Sequence, residues 1–303
     1  MKVLLTPGPH GGEGEQLAKL LGVSSDAVCD LSASLNPLAP DVVAIAGRCL
    51  DELRRYPDPA SATDLLADAI GVDPKRLLLT NGGSEAIALV AGDMRTGQVI
   101  EPEFSLYRRH LDSISDSAPR WRSNPNNPTG LLADPDDTAA AWDEAFYPLA
   151  TGTWTRGDAN AVVVGSLTKL FACPGLRLGY VLSSDEDLIE RLARHQPTWS
   201  VNGLALGVLP HLLEATELAK WASEISKLRD ELASLLVSYG FRPMPSDASW
   251  LLVPEANDLR AKLATQAVLV RDCTSFGMPN TIRIAIPTPN NFERLDKALS
   301  LIC

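Results

Sequence analysis

Lys169 lies where a buried strand is expected to end, among side chains that bind anions. Residues 162–180, VVVGSLTKLFACPGLRLGY, pass from a β-branched apolar run into Ser166, Thr168, Lys169 and Arg177. In a parallel sheet, ligands bind beyond the carboxyl ends of the strands. A lysine that is partly desolvated there favours its neutral amine, which is a nucleophile. The hydroxyls and the guanidinium suit a phosphate group.

A second element suited to phosphate lies upstream. Asn81, Gly82, Gly83 and Ser84 follow the predicted strand RLLLT, residues 76–80, and open a predicted helix. The first N–H groups of a helix lack partners within the helix and bind anions. Two phosphate-binding elements and a nucleophilic lysine together indicate a phosphorylated aldehyde bound to Lys169 as a Schiff base. That description fits pyridoxal 5′-phosphate.

Three further residues could hold the ring of this cofactor. Asp143 follows TAAAW, where another strand is expected to end, and a carboxylate there can pair with the protonated pyridine nitrogen. Asn127, in the rigid turn SNPNNPTG, can donate a hydrogen bond to the phenolic oxygen, and Phe104 can stack on the ring face. Taken singly, Asp143 could be a loop acid or a helix cap, and Phe104 a core residue.

The order of these motifs resembles a known family. NPNNPTG, DEAF, SLTK and GLRLGY follow one another as in the class I/II aminotransferases of fold type I, and the resemblance extends from His10 to the last predicted helix. It implies a pyridoxal-phosphate enzyme in which Lys169 is the catalytic residue. The cofactor-binding residues that it implies are Tyr56, Gly83, Ser84, Phe104, Asn127, Asp143, Ser166, Thr168, Lys169 and Arg177.

Three other stretches narrow the resemblance. HGG at residues 10–12, DLSASLNPLAP at 30–40 and HQPTWSVNGLA at 195–205 are similar to the threonine-phosphate decarboxylases of cobalamin synthesis, a branch close to the histidinol-phosphate aminotransferases. The aminotransferase branch commonly has DEAY where this chain has DEAF, and Phe146 has no hydroxyl to reach the phenolic oxygen of the cofactor. Position 146 therefore favours the decarboxylase.

The resemblance also implies the substrate contacts and the assembly. Arg283 in TIRIAI corresponds to the arginine that grips the acidic group of the substrate, and Arg271 in VLVRDC to one that contacts its phosphate. His10 and Asn36 lie in segments that close over the site. Tyr56 corresponds to a tyrosine that reaches the cofactor phosphate of the neighbouring subunit, which implies a homodimer with shared sites. The alternative role of both arginines is a strand-end salt bridge.

Three hypotheses for the function stay open. The first is a decarboxylase of O-phosphothreonine or a similar phosphoamino acid, and the second is an aminotransferase for histidinol phosphate or another amino acid. The two reactions differ in which substrate bond stands perpendicular to the cofactor ring, and in decarboxylation Lys169 would reprotonate the carbon. The third is a non-catalytic cofactor-binding protein, against which the joint presence of Lys169, Asp143, Asn127 and Arg177 argues.

Strands that alternate with helices predict an α/β fold. We expect a large domain with a mostly parallel sheet flanked by helices, of the fold type I pyridoxal-phosphate transferase kind, and a smaller C-terminal α/β domain. The predicted boundaries are an N-terminal segment 1–55 that packs with the small domain, the large domain 56–200 and the small domain 201–303. Long helices are predicted at residues 41–56 and 204–239.

Two connections in the large domain are short. Residues 110–124 leave room only for a remnant strand in APRWR, and residues 130–143 are too few for a full helical crossover. We therefore expect a trimmed helix and an unusual sheet edge there, with the cofactor residues retained.

Composition excludes several other classes. The 303 residues carry a net charge of −11, which argues against a nucleic-acid-binding protein. No apolar run is long enough to span a membrane, and the first residues do not resemble a signal peptide. The five cysteines and four histidines are scattered, so we expect reduced thiols, no metal site and a cytoplasmic protein.

Overall fold

The chain folds into two sheets with helices packed around them. The structure is a computed structural model, and it describes residues 6–8, 10–157, 160–256 and 258–303. A seven-stranded sheet and a four-stranded sheet are present in these residues, which confirms the predicted α/β fold with a large, mostly parallel sheet. Over the same ranges, no helix has the length and apolar character needed to cross a membrane.

The strands fall into two groups along the chain. The N-terminal strand β1 and the last three strands form the small sheet, and the strands between them form the large one. Their bounds are β1 Cys29–Leu31, β2 Leu77–Asn81, β3 Thr96–Val99, β4 Ser113–Ile114, β5 Arg120–Ser123, β6 Ala141–Asp143, β7 Val162–Ser166, β8 Leu178–Leu182, β9 Trp250–Val253, β10 Val268–Asp272 and β11 Ile282–Ala285.

The helices vary from a single turn to six turns. Their bounds are α1 Gly14–Leu21, α2 Val42–Arg48, α3 Ala60–Ile70, α4 Gly82–Met94, α5 Leu106–His110, α6 Tyr147–Thr151, α7 Leu167–Leu170, α8 Glu186–His195, α9 Gly203–Glu214, α10 Leu218–Ser238, α11 Leu259–Thr265 and α12 Pro289–Ile302. Short 3-10 turns lie at Ser25–Ala27, Leu50–Arg54, Pro74–Arg76 and Thr274–Phe276.

The large sheet has the strand order β2-β8-β7-β6-β5-β3-β4. Strand β8 is antiparallel to both of its neighbours, and the other pairings are parallel. The parallel strands β5, β6 and β7 therefore end at one edge, where Ser123 lies in register with Asp143. That edge is where a ligand is expected in a sheet of this kind.

The small sheet has the order β1-β10-β11-β9. Strand β1 pairs in parallel with β10, so the N-terminal segment contributes a strand to this sheet. The main hydrophobic core includes residues from both sheets, such as Leu79 and Val163 from the large one and Val270 and Ile284 from the small one. The division of the chain at residues 55 and 200 stays a prediction.

Two of the predicted helices are shorter than expected. Asp41 caps α2 by accepting a hydrogen bond from the N–H of Ala44 at 3.0 Å, but the helix ends at Arg48 and a 3-10 turn follows it. The predicted stretch 204–239 consists of two helices, α9 and α10, with residues 215–217 between them. Asn202 caps α9 through its side-chain oxygen, which accepts from the N–H of Ala205.

The connection from β5 to β6 has no helix. Residues 124–140 form turns and extended segments instead. The guanidinium of Arg156 donates hydrogen bonds to the carbonyl oxygens of Asp134, Pro135 and Asp137, at 3.0, 2.6 and 2.8 Å. It also stacks on the Trp142 ring, 4.9 Å from the centroid. Together with the ion pairs of Asp137 with Arg120 and Arg122 on β5, this side chain holds the trimmed connection against the sheet.

Candidate active site

A cavity of about 230 Å³ lies between the carboxyl edge of the large sheet and the small sheet. Of the residues predicted to form the site, all but Tyr56 and Asn36 line it. They come from the ends of β6 and β7, from α4 and α7, from the small-sheet strands β10 and β11, and from the N-terminal segment. The fold therefore brings together residues that are far apart in the chain.

Lys169 lies in the single helical turn α7, three residues after β7 ends. Burial lowers the pKa of its amine to about 8, the cations Arg283 and Arg177 add to this shift, and Asp143 opposes it. The Nζ atom lies 6.0 Å from the centre of the Phe146 ring. With this pKa, roughly a tenth of the lysine is neutral at pH 7, far more than for an exposed lysine, and the neutral amine is the nucleophile.

Asp143 is the last residue of β6 and is buried. Its carboxylate accepts hydrogen bonds from the Tyr107 hydroxyl at 2.8 Å and from the N–H of Ala145 at 3.0 Å. Burial raises the pKa of Asp143, while these two hydrogen bonds and the charge of Lys169 oppose the shift. The carboxylate is held in place but keeps capacity to accept a further proton donor.

The anion-binding end of the cavity is built at the start of α4. The Arg177 guanidinium donates to the Ser84 hydroxyl at 3.0 Å and lies so close to Gly82 that any side chain there would collide with it. Gly82 also has a φ of +76°, which favours glycine. The Ser166 and Thr168 hydroxyls lie 2.7 Å apart, and both residues also line the cavity.

This set of donors fits a phosphate group. Three hydroxyls, one guanidinium and the N–H groups at the start of a 13-residue helix face one end of the cavity. Asn127 and Asp143 line the same cavity, as does Phe104. The residues present therefore match the chemistry of pyridoxal phosphate, which has a phosphate, a pyridine nitrogen and a phenolic oxygen to bind.

Arg283 lies on β11 and is buried in the cavity wall. It donates to the Asn127 side-chain oxygen at 2.7 Å and stacks on the Trp250 ring, 4.8 Å from the centroid. Among the described residues its Nε atom has no hydrogen-bond partner. Burial lowers the pKa of Arg283 to about 10. A buried guanidinium with an unused donor is suited to an anionic ligand.

Arg271 lies opposite Arg283, on β10. Directly paired residues of antiparallel strands project from the same face of the sheet, so both guanidinium groups face the cavity. Arg271 donates to the carbonyl oxygen of Gly8 at 3.1 Å and to the Ser275 hydroxyl at 3.0 Å, and it stacks on the Phe276 ring. It therefore links the cavity to the N-terminal segment.

The N-terminal segment places His10 at the cavity mouth. Glu13 anchors the segment, since its carboxylate accepts from the N–H of Gly8 at 2.6 Å and pairs with Arg260 at 3.0 Å. The His10 ring lies 6.0 Å from the Phe104 ring, edge to face. Burial and the nearby charge of Arg271 lower the pKa of His10, so the ring is neutral near pH 7.

Two predicted site residues lie outside the cavity. The Asn36 amide donates to the Leu170 carbonyl oxygen at 2.9 Å, and the Asn36 N–H donates to that of Lys169 at 3.1 Å. Its side chain is thus occupied in holding the turn that carries Lys169. Tyr56 is 78% exposed and stacks on Trp199, with ring centroids 4.4 Å apart, in a separate groove.

Sequence reasoning missed three residues of this region. Tyr107, which holds Asp143, lies three residues after Phe104 in FSLY, a spacing that places both on one side of a helical turn. Ser34 lines the cavity, and its buried hydroxyl has no hydrogen-bond partner in the described parts of the chain. Glu103, directly before Phe104, is buried and hydrogen-bonded to Ser123. Ser34 lies in the stretch DLSASLNPLAP, which pointed to this region without singling it out, and no motif signals Glu103.

Comparison of the sequence with known proteins identifies a family, and comparison of the structure finds a shared fold. Residues 121–299 match the family described as aminotransferase class I and II. The threonine-phosphate decarboxylase of Salmonella typhimurium is 31% identical, and the alignment covers 96% of this chain and 95% of that protein. Histidinol-phosphate aminotransferase 1 of Dechloromonas aromatica is 27% identical, with coverage of 97% and 96%.

A solved structure shares the fold. The histidinol-phosphate aminotransferase of Sinorhizobium meliloti, solved in complex with pyridoxal-5'-phosphate, superposes with a TM-score of 0.82 at 16% identity, over 99% of this chain and 95% of that one. The alignment with the Salmonella decarboxylase has 350 positions, more than the 303 residues of this chain, so that relative contains segments missing here. The chain belongs to the aminotransferase class I and II family of pyridoxal-phosphate-dependent enzymes.

Proposed function

We propose that this protein is a pyridoxal-phosphate-dependent decarboxylase of O-phosphothreonine or a similar small phosphoamino acid, serving cobalamin side-chain synthesis. The observation that carries the proposal is the pairing of Arg271 with Arg283 across the small sheet, with both guanidinium groups lining the cavity. A phosphoamino acid has two anionic groups, a carboxylate and a phosphate, for these two cations. Histidinol phosphate itself has only its phosphate, so in an aminotransferase the second cation would serve the carboxylate of the 2-oxo acid acceptor instead.

The cofactor would be held by the residues at the strand ends. Ser84, Ser166, Thr168 and Arg177 would bind its phosphate, and Gly83 allows the backbone to approach. Asp143 would accept from the pyridine nitrogen and Asn127 would donate to the phenolic oxygen, with Phe104 against the ring face. When bound, the cofactor supplies an aldehyde that combines with amines and a conjugated ring that accepts electrons.

Lys169 is the residue proposed to move protons. Its pKa of about 8 allows Nζ to bind and release a proton close to neutral pH. In the decarboxylation it would deliver a proton to the substrate carbon that has lost carbon dioxide. The same amine would remove the α-proton if the protein were an aminotransferase, so the position of Lys169 alone does not decide between the two.

Phe146 favours the decarboxylase. Its ring packs edge to face on Trp250, with centroids 4.6 Å apart, and lies beside the Lys169 amine. An apolar wall near the reacting atoms disfavours a charged carboxylate relative to neutral carbon dioxide. It also offers no hydroxyl to the cofactor, in contrast to the tyrosine common in the aminotransferase branch.

The assembly and location are part of the same proposal. Tyr56 and Trp199 are both largely exposed, and Tyr56 lies outside the cavity of its own chain. We assign Tyr56 to the cofactor phosphate of a second subunit in a homodimer. Four of the five cysteines are buried as free thiols, which is consistent with a cytoplasmic location.

The alternative function is an aminotransferase acting on histidinol phosphate or another amino acid. It is supported by the Dechloromonas relative, which is 27% identical over nearly the whole chain. That enzyme class needs a 2-oxo acid as acceptor, whereas a decarboxylase does not. The need for an acceptor therefore separates the two functions.

A product assay tests the proposal. The cofactor-loaded protein is incubated with O-phospho-L-threonine, with and without a 2-oxo acid, and the products are identified by mass spectrometry. We expect loss of carbon dioxide and formation of an aminoalcohol phosphate in both cases. A keto product that forms only with the acceptor, from this substrate or from histidinol phosphate, would identify an aminotransferase instead.

A further inference from the structure

Glu103 is a buried carboxylate beside the cavity that the proposed reaction does not use. It directly precedes Phe104, and only 4% of its surface is exposed. Its Oε1 atom accepts from the N–H of Ser123 at 3.0 Å, and its Oε2 atom accepts from the Ser123 hydroxyl at 2.5 Å and from the N–H of Phe104 at 3.2 Å. Buried carboxylates are uncommon because burial disfavours their charge.

The Ser123 hydroxyl links Glu103 to Asn127, which lies on the proposed cofactor side of the site. It donates its proton to Glu103, so its lone pairs are left to accept the main-chain N–H of Asn127 at 2.8 Å. The side-chain oxygen of Asn127 accepts from Arg283 at 2.7 Å. Glu103 and Ser123 thus hold the main chain of Asn127, while the substrate-facing Arg283 holds its side-chain oxygen.

The orientation of the Ser123 hydroxyl depends on the charge of Glu103. Burial raises the pKa of Glu103 to about 7, so the ionised form predominates above that pH. The ionised form can only accept, so it requires the Ser123 hydroxyl to donate and fixes the orientation of that hydroxyl. A glutamine at position 103 would present an amide that donates on one side, and it could not accept at both of its polar atoms. The acidic neighbour Asp143 and the Tyr107 hydroxyl also face this region and are held by each other.

We propose that Glu103 is a positioning residue, which holds the main chain of Asn127 in place through the Ser123 hydroxyl and thereby places the Asn127 side chain beside the phenolic oxygen of pyridoxal phosphate. Asn127 has one oxygen and one NH₂ group in its side chain. With the oxygen engaged by Arg283, the NH₂ group is left to donate to the cofactor. This inference rests on the cofactor role of Asn127 in the proposed function.

A spectroscopic titration without substrate tests the inference. The visible absorption of the cofactor-loaded protein is followed against pH for the wild type, Glu103→Gln, Ser123→Ala and the double variant. Loss of a hydrogen bond to the phenolic oxygen disfavours its anionic form, so we expect the midpoint to rise by about one pH unit in each single variant. The double variant is expected to show the same shift and no more, because both changes break one path.

Two further variants separate this role from a structural one. Glu144 is also a buried glutamate that accepts a backbone N–H, from Arg156, but it does not line the cavity. Glu144→Gln is therefore expected to alter the melting temperature without moving the midpoint. Asn127→Ala is expected to move the midpoint as far as Glu103→Gln does.

The outcomes distinguish the positioning role of Glu103 from the cofactor role of Asn127. An unchanged midpoint in Glu103→Gln and Ser123→Ala, with a shift in Asn127→Ala, would overturn the positioning role alone. An unchanged midpoint in Asn127→Ala would overturn the cofactor role of Asn127 and the inference with it. Additive shifts in the double variant would show that Glu103 does not act through Ser123. If Glu103→Gln does not fold, the Ser123→Ala result decides.

Discussion

The two ends of the cavity are built in different ways. At one end, where we propose that the cofactor phosphate binds and which we call the phosphate-binding end, strand ends and helix starts around the large sheet supply Ser84, Ser166 and Arg177. The other end, where we propose that the substrate binds and which we call the substrate end, is assembled from β10, β11 and the N-terminal segment, which supply Arg271, Arg283 and His10. The first end depends on local chain geometry, while the second depends on how separate parts of the chain pack together.

This difference indicates where specificity can change within the family. Alterations at the phosphate-binding end disturb the sheet edge that carries Lys169 and Asp143. Alterations at the substrate end act on side chains from a second sheet and a terminal segment, which can shift without moving the strand ends. We therefore expect variants at the two ends to affect different kinetic quantities.

The largest effect is expected for Lys169→Ala at the phosphate-binding end. Loss of the amine removes both the covalent attachment and the proton transfer, so turnover should fall by at least about 10³-fold. The measurement is the rate of product formation together with the visible absorption of the bound cofactor. Because the side chain is not part of the apolar core, the melting temperature of the apoprotein should change little. A variant that keeps more than about a tenth of the rate would contradict the role of Lys169.

The pH dependence of cofactor capture should report the pKa of Lys169. Its folded-state value of about 8 lies below the ordinary 10.5, and only the neutral amine reacts. The rate at which apoprotein gains visible absorption with pyridoxal phosphate should thus rise about tenfold per pH unit up to about pH 8 and then level off. A rise that continues to about pH 10 would mean that the amine behaves as an exposed lysine.

At the substrate end, Arg283→Gln should mainly weaken binding. A buried guanidinium that pairs with a substrate anion contributes roughly 2–3 kcal/mol, so KM for O-phospho-L-threonine should rise by about 10²-fold with a smaller change in kcat. Arg294→Gln, on α12 outside the cavity, serves as the control. A fall confined to kcat would place Arg283 at the reacting bond rather than at the substrate anion.

The smallest effect is expected for Glu13→Gln, which loosens the N-terminal segment. The change weakens the contacts of Glu13 with Arg260 and Gly8. The segment that carries His10 is then less firmly held, and so is the Gly8 carbonyl that accepts from Arg271. Loss of hydrogen-bond strength of about 1 kcal/mol should raise KM a few-fold and leave cofactor binding unchanged. Weaker cofactor binding in this variant would show that the two ends are not independent.

That the residues of the phosphate-binding end would lie together at one sheet edge was largely predictable from the sequence. Short apolar strands followed by polar residues have a local signature, and Lys169, Asp143 and Ser84 each stand next to such a strand. The predicted strand at residues 76–80 and the buried strand expected at the start of residues 162–180 correspond closely to β2 and β7. The residues that directly follow a strand lie at the edge of the sheet, and this placement does not depend on distant parts of the chain.

Other features depend on tertiary contacts that no local pattern reveals. Strand β8 inserts between β2 and β7 and runs antiparallel to both. Glu103 stands in no motif of the sequence, and in the fold it is buried and hydrogen-bonded to Ser123. The helix predicted over 41–56 ends at Arg48, even though Asp41 caps its start as expected.

The helix-free connection between β5 and β6 bears on how small a catalytic scaffold of this kind can be. Arg156 supplies hydrogen-bond donors to three carbonyl groups and covers part of Trp142, which are tasks that a crossover helix normally fulfils through many residues. Ser123 and Asp143 stay in register across the two strands. Length can thus be removed from an enzyme at a connection while the strand ends that carry its chemistry stay in place, which makes this segment a guide for engineering compact catalysts.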